Sequence, residues 1–557
     1  MRIALVAVVS FVLAAPLVAA SAERAPGKAA IASAHPLASQ AGLDILAKGG
    51  NAFDAAVAVA AALAVVEPNS SGLGGGGFIL IHRASDGLNS MIDARETAPG
   101  AATRDMYLDA QGNIVPRLST DSALAAGIPG EPAGLGLLAT KYGRLPLKTS
   151  LQPAIHLARA GFPLYERLQD GIRGKQEFIK RSPDAARIFL KNGEVPPIGY
   201  LIKQPDLART FQLIADKGAE AFYKGPFAQK LAAGVRKLGG IWSEQDLADY
   251  KAVERAPIIG QYHGARIISS SPPASGGIAL VDALNILEVY DLKAADPVTR
   301  IHLVVEAMRR MHRDRALYLG DPDFVSIPVE RLTNKYYADG QRTSLRLDRA
   351  TPSEMLPSDA IQATQGAHTT HYSILDKDGN RVATTITINL WLGTGLMVPG
   401  TGVLLNNEMD DFSSKPGTPN AFHLIGADAN AIAPGKRPLS SSTPTFVESD
   451  RGVMIVGSPG GSYITGMSLL ATLDFMDGMS AAQIASAPRF HHQYFPDVLQ
   501  YEPDAFTPEQ VKALEARGHK LRQGRQWGNL QVVTWDYATG AVEAASDPRG
   551  EGKGLVY

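Results

Sequence analysis

Cysteine is absent from this chain of 557 residues, which excludes a disulfide framework, a thiol nucleophile and a cysteine-ligated metal. An excess of either charge is also absent, because 54 Lys and Arg residues face 55 Asp and Glu residues. With a formal net charge of −1 and no basic block, the chain lacks the electrostatic basis for binding nucleic acid or an anionic membrane surface. The hydrophobic share of 45% is that of a globular protein.

The first 22 residues have the pattern of a secretory signal peptide. Arg2 precedes a mostly apolar run over residues 3–20, and Ala20-Ser21-Ala22 forms an A-x-A cleavage site. We therefore predict that residues 1–22 are removed and that the mature protein is periplasmic or secreted. The alternative, an uncleaved membrane anchor, is disfavoured by the small residues at the end of the run. No later apolar run reaches the length of a membrane span.

Residues 368–389 have the pattern of a β-hairpin. Asp378-Gly379 is a turn signal between two runs that suit strands. In the second run, Ile386 and Ile388 share one face, and the other face carries Thr385, Thr387 and Asn389. A Thr at the abrupt start of such a hairpin, facing hydroxyl and amide side chains, is a candidate nucleophile. The alternative is that Thr is simply common in strands.

Three other patterns suggest ligand sites and are rejected. Residues 72–77 match the dinucleotide pattern G-x-G-x-x-G, but a predicted helix precedes them and a strand follows, so we expect close backbone approach instead. His302, Glu306 and His312 lack the order of a helical zinc site and are interpreted as surface or packing residues. The adjacent pair His491-His492 points in opposite directions in a strand and is not expected to bind metal.

The remaining pattern places strands at both ends of a helical middle. Helices are predicted over residues 51–66, 278–289 and 301–319 and through most of 145–254, and strands over 78–82, 91–96 and 453–456. This order favours stacked sheets covered by helices. Residues 415–438 form a Pro- and Gly-rich loop of the kind that serves as a lid or binding loop.

Six separated motifs together resemble the γ-glutamyltranspeptidase family. They lie at residues 94–99, 272–277, 369–373, 406–412, 438–441 and 457–462. The resemblance implies an α/β (α+β) N-terminal-nucleophile αββα sandwich, with two stacked, mainly antiparallel sheets covered by helices. It also implies a precursor that cuts itself between His368 and Thr369. The products would be a large chain, 23–368, and a small catalytic chain, 369–557, held together as one globular heterodimer without a cofactor or metal.

The chemistry implied by the resemblance centres on Thr369. An alcohol needs a nearby base, and cleavage before Thr369 supplies an α-amine with an ordinary pKa of roughly 7.7–8. Thr369 would attack a γ-glutamyl amide and form an acyl-enzyme, while Thr387 hydrogen-bonds its hydroxyl. Gly460 and Gly461 resemble the family's oxyanion-hole pair, which donates backbone N–H groups.

Recognition of the glutamyl head is implied for two sets of residues. Arg95 would bind the α-carboxylate with Ser440 and Ser441, since a guanidinium donates a two-pronged hydrogen bond. The α-ammonium would be bound by Asn389, Glu408 and Asp411. Without the resemblance, Arg95-Glu96 would be interpreted as a surface ion pair and residues 408–411 as a solvated acidic loop.

Two departures from the family pattern affect the surroundings of this site. Phe422 stands in the lid where many relatives have Tyr, so it can cover the pocket but cannot donate a hydroxyl hydrogen bond. Leu390-Trp391-Leu392 replaces smaller, more polar residues and is expected to alter the acceptor side or the packing behind the nucleophile.

The activity implied is that of a γ-glutamyltransferase and glutathione hydrolase, which passes the glutamyl group to water, an amino acid or a peptide. Two alternatives remain at this point. One is an acylase of glutaryl-type amides within the same superfamily, and the other is an uncleaved, non-catalytic binding protein.

Overall fold

A computed structural model describes residues 25–356, 369–415, 417–418, 420–421, 424 and 426–557. The predicted signal peptide, His368 and Phe422 lie outside these residues. Among the helices that the structure describes, none combines the length and the apolar character needed to cross a membrane.

The described residues form two large antiparallel sheets and two small ones. In chain order, the strands are β1 (Ala30–Ser33), β2 (Gly76–Arg83), β3 (Leu88–Ala94), β4 (Phe162–Pro163), β5 (Leu201–Ile202), β6 (Val253–Arg255), β7 (Ile258–Tyr262), β8 (Ala265–Ser269), β9 (Thr370–Leu375), β10 (Arg381–Thr387), β11 (Thr445–Ser449), β12 (Gly452–Gly457), β13 (Phe490–His491), β14 (Leu499–Tyr501), β15 (Leu521–Gln523), β16 (Gln531–Asp536), β17 (Val542–Ser546) and β18 (Lys553–Val556).

Helices cover the outer faces of the large sheets. In chain order, they are α1 (Pro36–Ala47), α2 (Ala52–Val66), α3 (Glu131–Tyr142), α4 (Leu147–Ala160), α5 (Glu166–Ile179), α6 (Pro183–Phe189), α7 (Pro205–Lys217), α8 (Glu220–Tyr223), α9 (Pro226–Lys237), α10 (Glu244–Asp249), α11 (Gly276–Leu287), α12 (Pro297–Tyr318), α13 (Val329–Leu332), α14 (Lys335–Arg342), α15 (Tyr463–Met476), α16 (Ala481–Ser486) and α17 (Pro508–Ala516).

The two large sheets stack face to face. The first has the strand order β18-β1-β9-β10-β2-β3-β6, and the second has the order β17-β16-β12-β11-β8-β7. Each sheet mixes strands from both sides of the predicted cleavage point. The predicted hairpin is β9 and β10, and it lies at the centre of the first sheet.

Three apolar layers follow from this stacking. Side chains such as Phe78, Ala383 and Ile455 fill the space between the sheets. A large cluster that includes α2 and Ile386 lies on the outer face of the first sheet, and α11, α12 and α15 pack on the outer face of the second. Alternate residues of β10 therefore enter different cores, as the period of a strand requires. The predicted αββα sandwich is confirmed.

The helix predicted over residues 51–66 begins at Ala52, because Asn51 caps it. The Asn51 side chain accepts hydrogen bonds from the N–H groups of Phe53 and Asp54, and Asp54 accepts one from the Asn51 N–H in return. Every residue of α2 is buried. The other predicted elements are also present, with α11 and α12 beginning two and four residues earlier than expected at 278 and 301. Short strands β4 and β5 interrupt the region predicted to be helical.

The glycine-rich run at residues 72–77 makes close backbone approach, as predicted. A Cβ atom on Gly74 would lie 1.9 Å from the Leu404 carbonyl oxygen, and one on Gly75 would lie 2.0 Å from that of Thr387. Neither approach leaves room for a side chain. The run therefore places the start of β2 directly against the end of β10, where the candidate site begins.

The histidines rejected as metal ligands are buried packing residues. His302 Nδ1 lies 2.8 Å from His519 Nε2, and Glu306 pairs with Arg309 and Arg310. His492 pairs with Asp497 at 3.0 Å. Within the part of the chain that the structure describes, no group of three His, Asp or Glu side chains is arranged to hold a metal ion.

Candidate active site

Thr369 lies directly before β9 and faces the end of β10. Its Oγ1 donates a hydrogen bond to Thr387 Oγ1 over 3.3 Å. Thr387 Oγ1 in turn accepts a bond of 2.8 Å from the backbone N–H of Asn389. The Asn389 side chain donates to the Asn407 carbonyl at 2.8 Å. A continuous chain of hydrogen bonds therefore orients the Thr369 hydroxyl.

The backbone of Thr369 is strained. Its φ of +146° lies in a region that L-residues other than glycine rarely adopt. Asn389, with a φ of +71°, is a milder case, because Asn tolerates the left-handed region better than most residues. Strain of this kind persists where the surrounding structure holds the residue, and it concentrates at functional sites.

Gly460 and Gly461 lie in the loop between β12 and α15. Their φ values are +144° and +56°, conformations that suit glycine. Among the described residues, neither N–H group has a hydrogen-bond acceptor within the protein. They precede the N-terminus of a helix, where the peptide dipoles favour negative charge. This loop can therefore stabilise an oxyanion.

Arg95 follows β3 and is buried with 1% of its side chain exposed. Its guanidinium forms ion pairs with Glu408 and Asp411, and its Nε donates to the Pro438 carbonyl at 3.1 Å. The interpretation of Arg95-Glu96 as a surface ion pair is therefore wrong, and so is that of residues 408–411 as a solvated loop. The end of β3 reaches the interior because residues 408–411 and 438–439 fold over it.

Three buried carboxyl groups surround the single Arg95 guanidinium. Burial raises the pKa of Glu96 to about 8, against the opposing effect of Arg95. Burial also raises the pKa of Glu408 and Asp411, again opposed by Arg95. For Arg95, burial lowers the pKa, but Glu408, Asp411 and Glu96 more than compensate, so the guanidinium stays charged. The site therefore places three carboxyl groups around one guanidinium.

Ser440 and Ser441 directly follow residues 438–439, which fold over Arg95. Ser440 Oγ lies 3.0 Å from Ser442 Oγ and accepts a bond of 3.1 Å from the Ser442 N–H. Ser441 Oγ is buried, and no hydrogen-bond partner for it is present among the described residues. It is a donor available to a bound anion, as is expected of a carboxylate-binding hydroxyl.

The described part of the predicted lid is tied to the acidic residues below it. The Ala421 N–H donates to Asp410 at 2.9 Å, and the Asn420 side chain donates to Asp411 at 3.1 Å. Leu424 lines the cavity beside Thr369. The loop therefore lies over the candidate site through the residues on either side of position 422.

Of the predicted site residues that the structure describes, all except Gly460 line one small cavity. The predicted residues that line it are Arg95, Thr369, Thr387, Asn389, Glu408, Asp411, Ser440, Ser441 and Gly461. Its volume of about 20 Å³ is enough for about one water molecule. The Arg95 ion pairs thus occupy much of the site, and side chains must move to admit a ligand.

Sequence reasoning missed Arg315 and gave Glu96 no role in the site. Arg315 lies on α12, is buried, and donates to Ser275 Oγ at 3.2 Å. Burial lowers its pKa to about 10, although Asp411 acts in the opposite direction. The sequence gives no signal that this Arg, in an amphipathic helix, is buried and interacts electrostatically with Asp411. Glu96 sits beside Arg95 in the chain, and only the structure shows that it is buried among the acidic groups around Arg95.

Two antiparallel sheets between helical layers, with a Thr at the start of a central strand, define the fold of the N-terminal nucleophile hydrolases. Cephalosporin acylase from Bacillus halodurans shares it, with a TM-score of 0.83, 29% identity and 95% of each chain covered. A chain of Helicobacter pylori γ-glutamyltranspeptidase superposes with a TM-score of 0.57 and 42% identity, covering 60% of this chain and 96% of that one.

Sequence comparison identifies the particular family. The glutathione hydrolase proenzyme of Escherichia coli (strain K12) is 45% identical over 524 residues, which cover 93% of this chain and 90% of the relative. The model of the gamma-glutamyltranspeptidase family matches residues 38–557. The chain therefore belongs to the gamma-glutamyltranspeptidase family, and the resemblance noted in the sequence is confirmed.

Proposed function

We propose that this protein is a γ-glutamyltransferase and glutathione hydrolase that uses Thr369 as its nucleophile. The observation that carries the proposal is the Thr369–Thr387 hydrogen bond of 3.3 Å in a cavity that also contains Arg95 and the Gly461 loop. Nucleophile, oxyanion donor and charged recognition groups thus meet within one site. Family membership supports the same activity.

Activation of Thr369 requires cleavage of the bond to His368. The strained φ of Thr369 supports cleavage at this point, because breaking the bond releases the strain. The Escherichia coli relative is a glutathione hydrolase proenzyme, which is consistent with such a cleavage. The new α-amine is the base closest to the Thr369 hydroxyl.

The reaction then proceeds in two acyl transfers. The α-amine takes the hydroxyl proton while Thr369 Oγ1 attacks the γ-carbonyl, and the same proton passes to the departing amine nitrogen. The C–N bond breaks and a glutamyl ester of Thr369 remains. Water or an amine acceptor attacks this ester and loses a proton to the α-amine. That proton returns to Thr369 Oγ1 as glutamate or a new γ-glutamyl amide leaves.

Substrate recognition exchanges one set of ion pairs for another. The substrate's α-ammonium binds Glu408, Asp411 and Asn389, which frees the Arg95 guanidinium. Its α-carboxylate then binds Arg95, with Ser441 as an additional donor. Because the zwitterionic head supplies one charge of each sign, every buried charge keeps a partner, which avoids the large cost of an isolated one.

Two measurements test the proposal. The intact masses of purified protein should correspond to chains 23–368 and 369–557, and Thr369→Ala should leave one uncut, inactive chain. γ-Glutamyl-p-nitroanilide should be hydrolysed much faster than glutaryl-p-nitroanilide, which lacks the α-ammonium. A preference for the glutaryl compound would instead identify an acylase, the activity in the name of the Bacillus halodurans structure. A Thr369→Ala protein that is still cut at this bond would refute the role of Thr369.

The predicted export supports a periplasmic or secreted location for this activity. An intact mass that corresponds to a large chain starting at Glu23 would establish that the signal peptide is removed. A mature chain that retains Met1 would contradict it.

A further inference from the structure

Residues 389–393 form a strained turn that begins two residues after Thr387. Three of these five residues have positive φ values, which are +71° for Asn389, +57° for Leu392 and +53° for Gly393. Glycine adopts this region freely and Asn tolerates it, but for a bulky residue such as Leu392 it is rare. A turn of this kind persists only where the surrounding contacts fix its backbone.

The Asn407 side chain supplies contacts of this kind. Its Oδ1 accepts a hydrogen bond from the Leu390 N–H over 2.9 Å. Its Nδ2 donates to the Gly393 carbonyl over 3.1 Å and to the Thr120 carbonyl over 2.7 Å. Asn407 is fully buried. The amide therefore binds the turn at two points and ties it to Thr120, which lies in the predicted large chain.

The Asn407 backbone holds the start of the same turn. Its N–H donates to the Ile388 carbonyl over 3.2 Å, and its carbonyl accepts from Asn389 Nδ2 over 2.8 Å. The Asn389 N–H in turn donates to Thr387 Oγ1, which accepts the hydroxyl hydrogen bond of Thr369. Asn407 therefore contacts the residue that completes the hydrogen-bond chain of the nucleophile.

We propose that Asn407 is a positioning residue for the nucleophile Thr369. Its amide fixes the strained turn, so that the Asn389 N–H stays aimed at Thr387 Oγ1. Without this amide, the buried Leu390 N–H and two carbonyl groups would lose a hydrogen-bond partner, which is costly. The turn would then relax toward ordinary φ values and move the Asn389 N–H away from Thr387. The inference rests on the proposed function and adds to it the residue that holds this hydrogen-bond chain.

The test is a double-mutant cycle with Thr387, because a role through this residue and a merely structural role give different results. We expect Asn407→Ala to lower the kcat of γ-glutamyl-p-nitroanilide hydrolysis about fivefold, within the loss of about two- to tenfold expected for removal of the Thr387 hydroxyl. In Thr387→Val the same replacement should lower kcat by less than about twofold, because the acceptor through which Asn389 acts is already absent. Losses at independent sites would instead multiply.

Asn380→Ala is the matched control. Asn380 lies at the other end of the same hairpin and is also buried. Its side chain accepts from the Ala84 N–H over 3.0 Å and donates to Asp376 over 2.7 Å. Its replacement should lower the unfolding temperature without changing kcat in either background. Intact masses establish that each variant has been cut before kcat is measured, and Asn407→Ser takes the place of the alanine variant if that protein does not fold.

Equal losses of kcat in the two backgrounds would overturn this inference and leave the proposed function intact, as would a cut Asn407→Ala protein with the kcat of wild type. Asn407→Ser protein that stays uncut while Thr387→Val is cut would also overturn it, because an effect exerted through Thr387 cannot exceed the loss of its hydroxyl. Wild-type protein that does not hydrolyse the γ-glutamyl donor would overturn the proposed function and this inference together.

Discussion

Replacing Thr387 by Val removes one hydroxyl and little volume, and it tests together the two hydrogen bonds that this hydroxyl makes. The hydroxyl accepts the Asn389 N–H at 2.8 Å in a position where Asn389 is 2% exposed. Leaving that buried donor without an acceptor should destabilise the protein by about 1–3 kcal/mol. The hydroxyl also fixes Thr369 Oγ1 at 3.3 Å. A neutral hydrogen bond contributes about 0.5–1.5 kcal/mol, so kcat should fall about two- to tenfold.

Thr387→Ser is the matched control, because it keeps the hydroxyl and removes only the methyl group. Intact masses first establish that both variants have been cut. Thermal unfolding and the kcat of γ-glutamyl-p-nitroanilide hydrolysis are then compared. The Ser variant should lie close to wild type in both, and the Val variant should be lower in both. Equal kcat values for the Val and Ser variants would refute the role assigned to the hydroxyl.

Three further predictions concern the surroundings of the site. Gly75→Ala places a Cβ 2.0 Å from the Thr387 carbonyl oxygen and should lower both stability and activity. Gly174→Ala is the control: its Cβ would have no atom within 4 Å, so the unfolding temperature should stay the same or rise slightly. Arg95→Lys keeps the positive charge but loses the two-pronged hydrogen bond of the guanidinium, so KM for the γ-glutamyl donor should rise about tenfold or more. An unchanged KM would show that Arg95 does not bind the α-carboxylate. Burial raises the pKa of Glu131 from 4.5 to about 8, so the folded state keeps this proton at pH values where the unfolded state has lost it. As the pH rises from 4.5 to about 8, the free energy of unfolding therefore falls by up to about 1.4 kcal/mol per pH unit. In Glu131→Gln, the unfolding temperature should fall less between pH 5.5 and 7.5 than it does in the wild type. The same pH profile in both proteins would contradict this prediction.

The local parts of the fold could be predicted from the sequence because the signals are local. The turn at Asp378-Gly379 and the alternation after it gave the hairpin, and the capping residue Asn51 explains the start of α2. The pairing of β9 with β1 could not be found this way, because Ser33 faces Tyr372 across more than 300 residues of sequence. Register over such distances is decided by the packing of both sheet faces.

Some residues of the candidate site could likewise be predicted from the sequence, and others could not. Motif resemblance brought its residues together, although local rules alone assigned Arg95 to the surface. Those rules fail because burial of a charge depends on partners from distant segments, here Glu408 and Asp411. Arg315 could not be predicted, since its neighbours in the helix pattern look like those of any amphipathic helix.

The topology explains how a chain can be cut beside its nucleophile without losing its structure. On one side, β9 pairs with β1, and on the other, β10 pairs with β2. β1 and β2 come from before the predicted cut, and β9 and β10 come from after it. Backbone hydrogen bonds on both edges of the hairpin would therefore hold the two predicted chains together, so the proposed cleavage would free an amine at Thr369 while the hairpin keeps its position. Strain at that residue can be released locally, because the Ile386–Thr370 pairing anchors the strand immediately behind it.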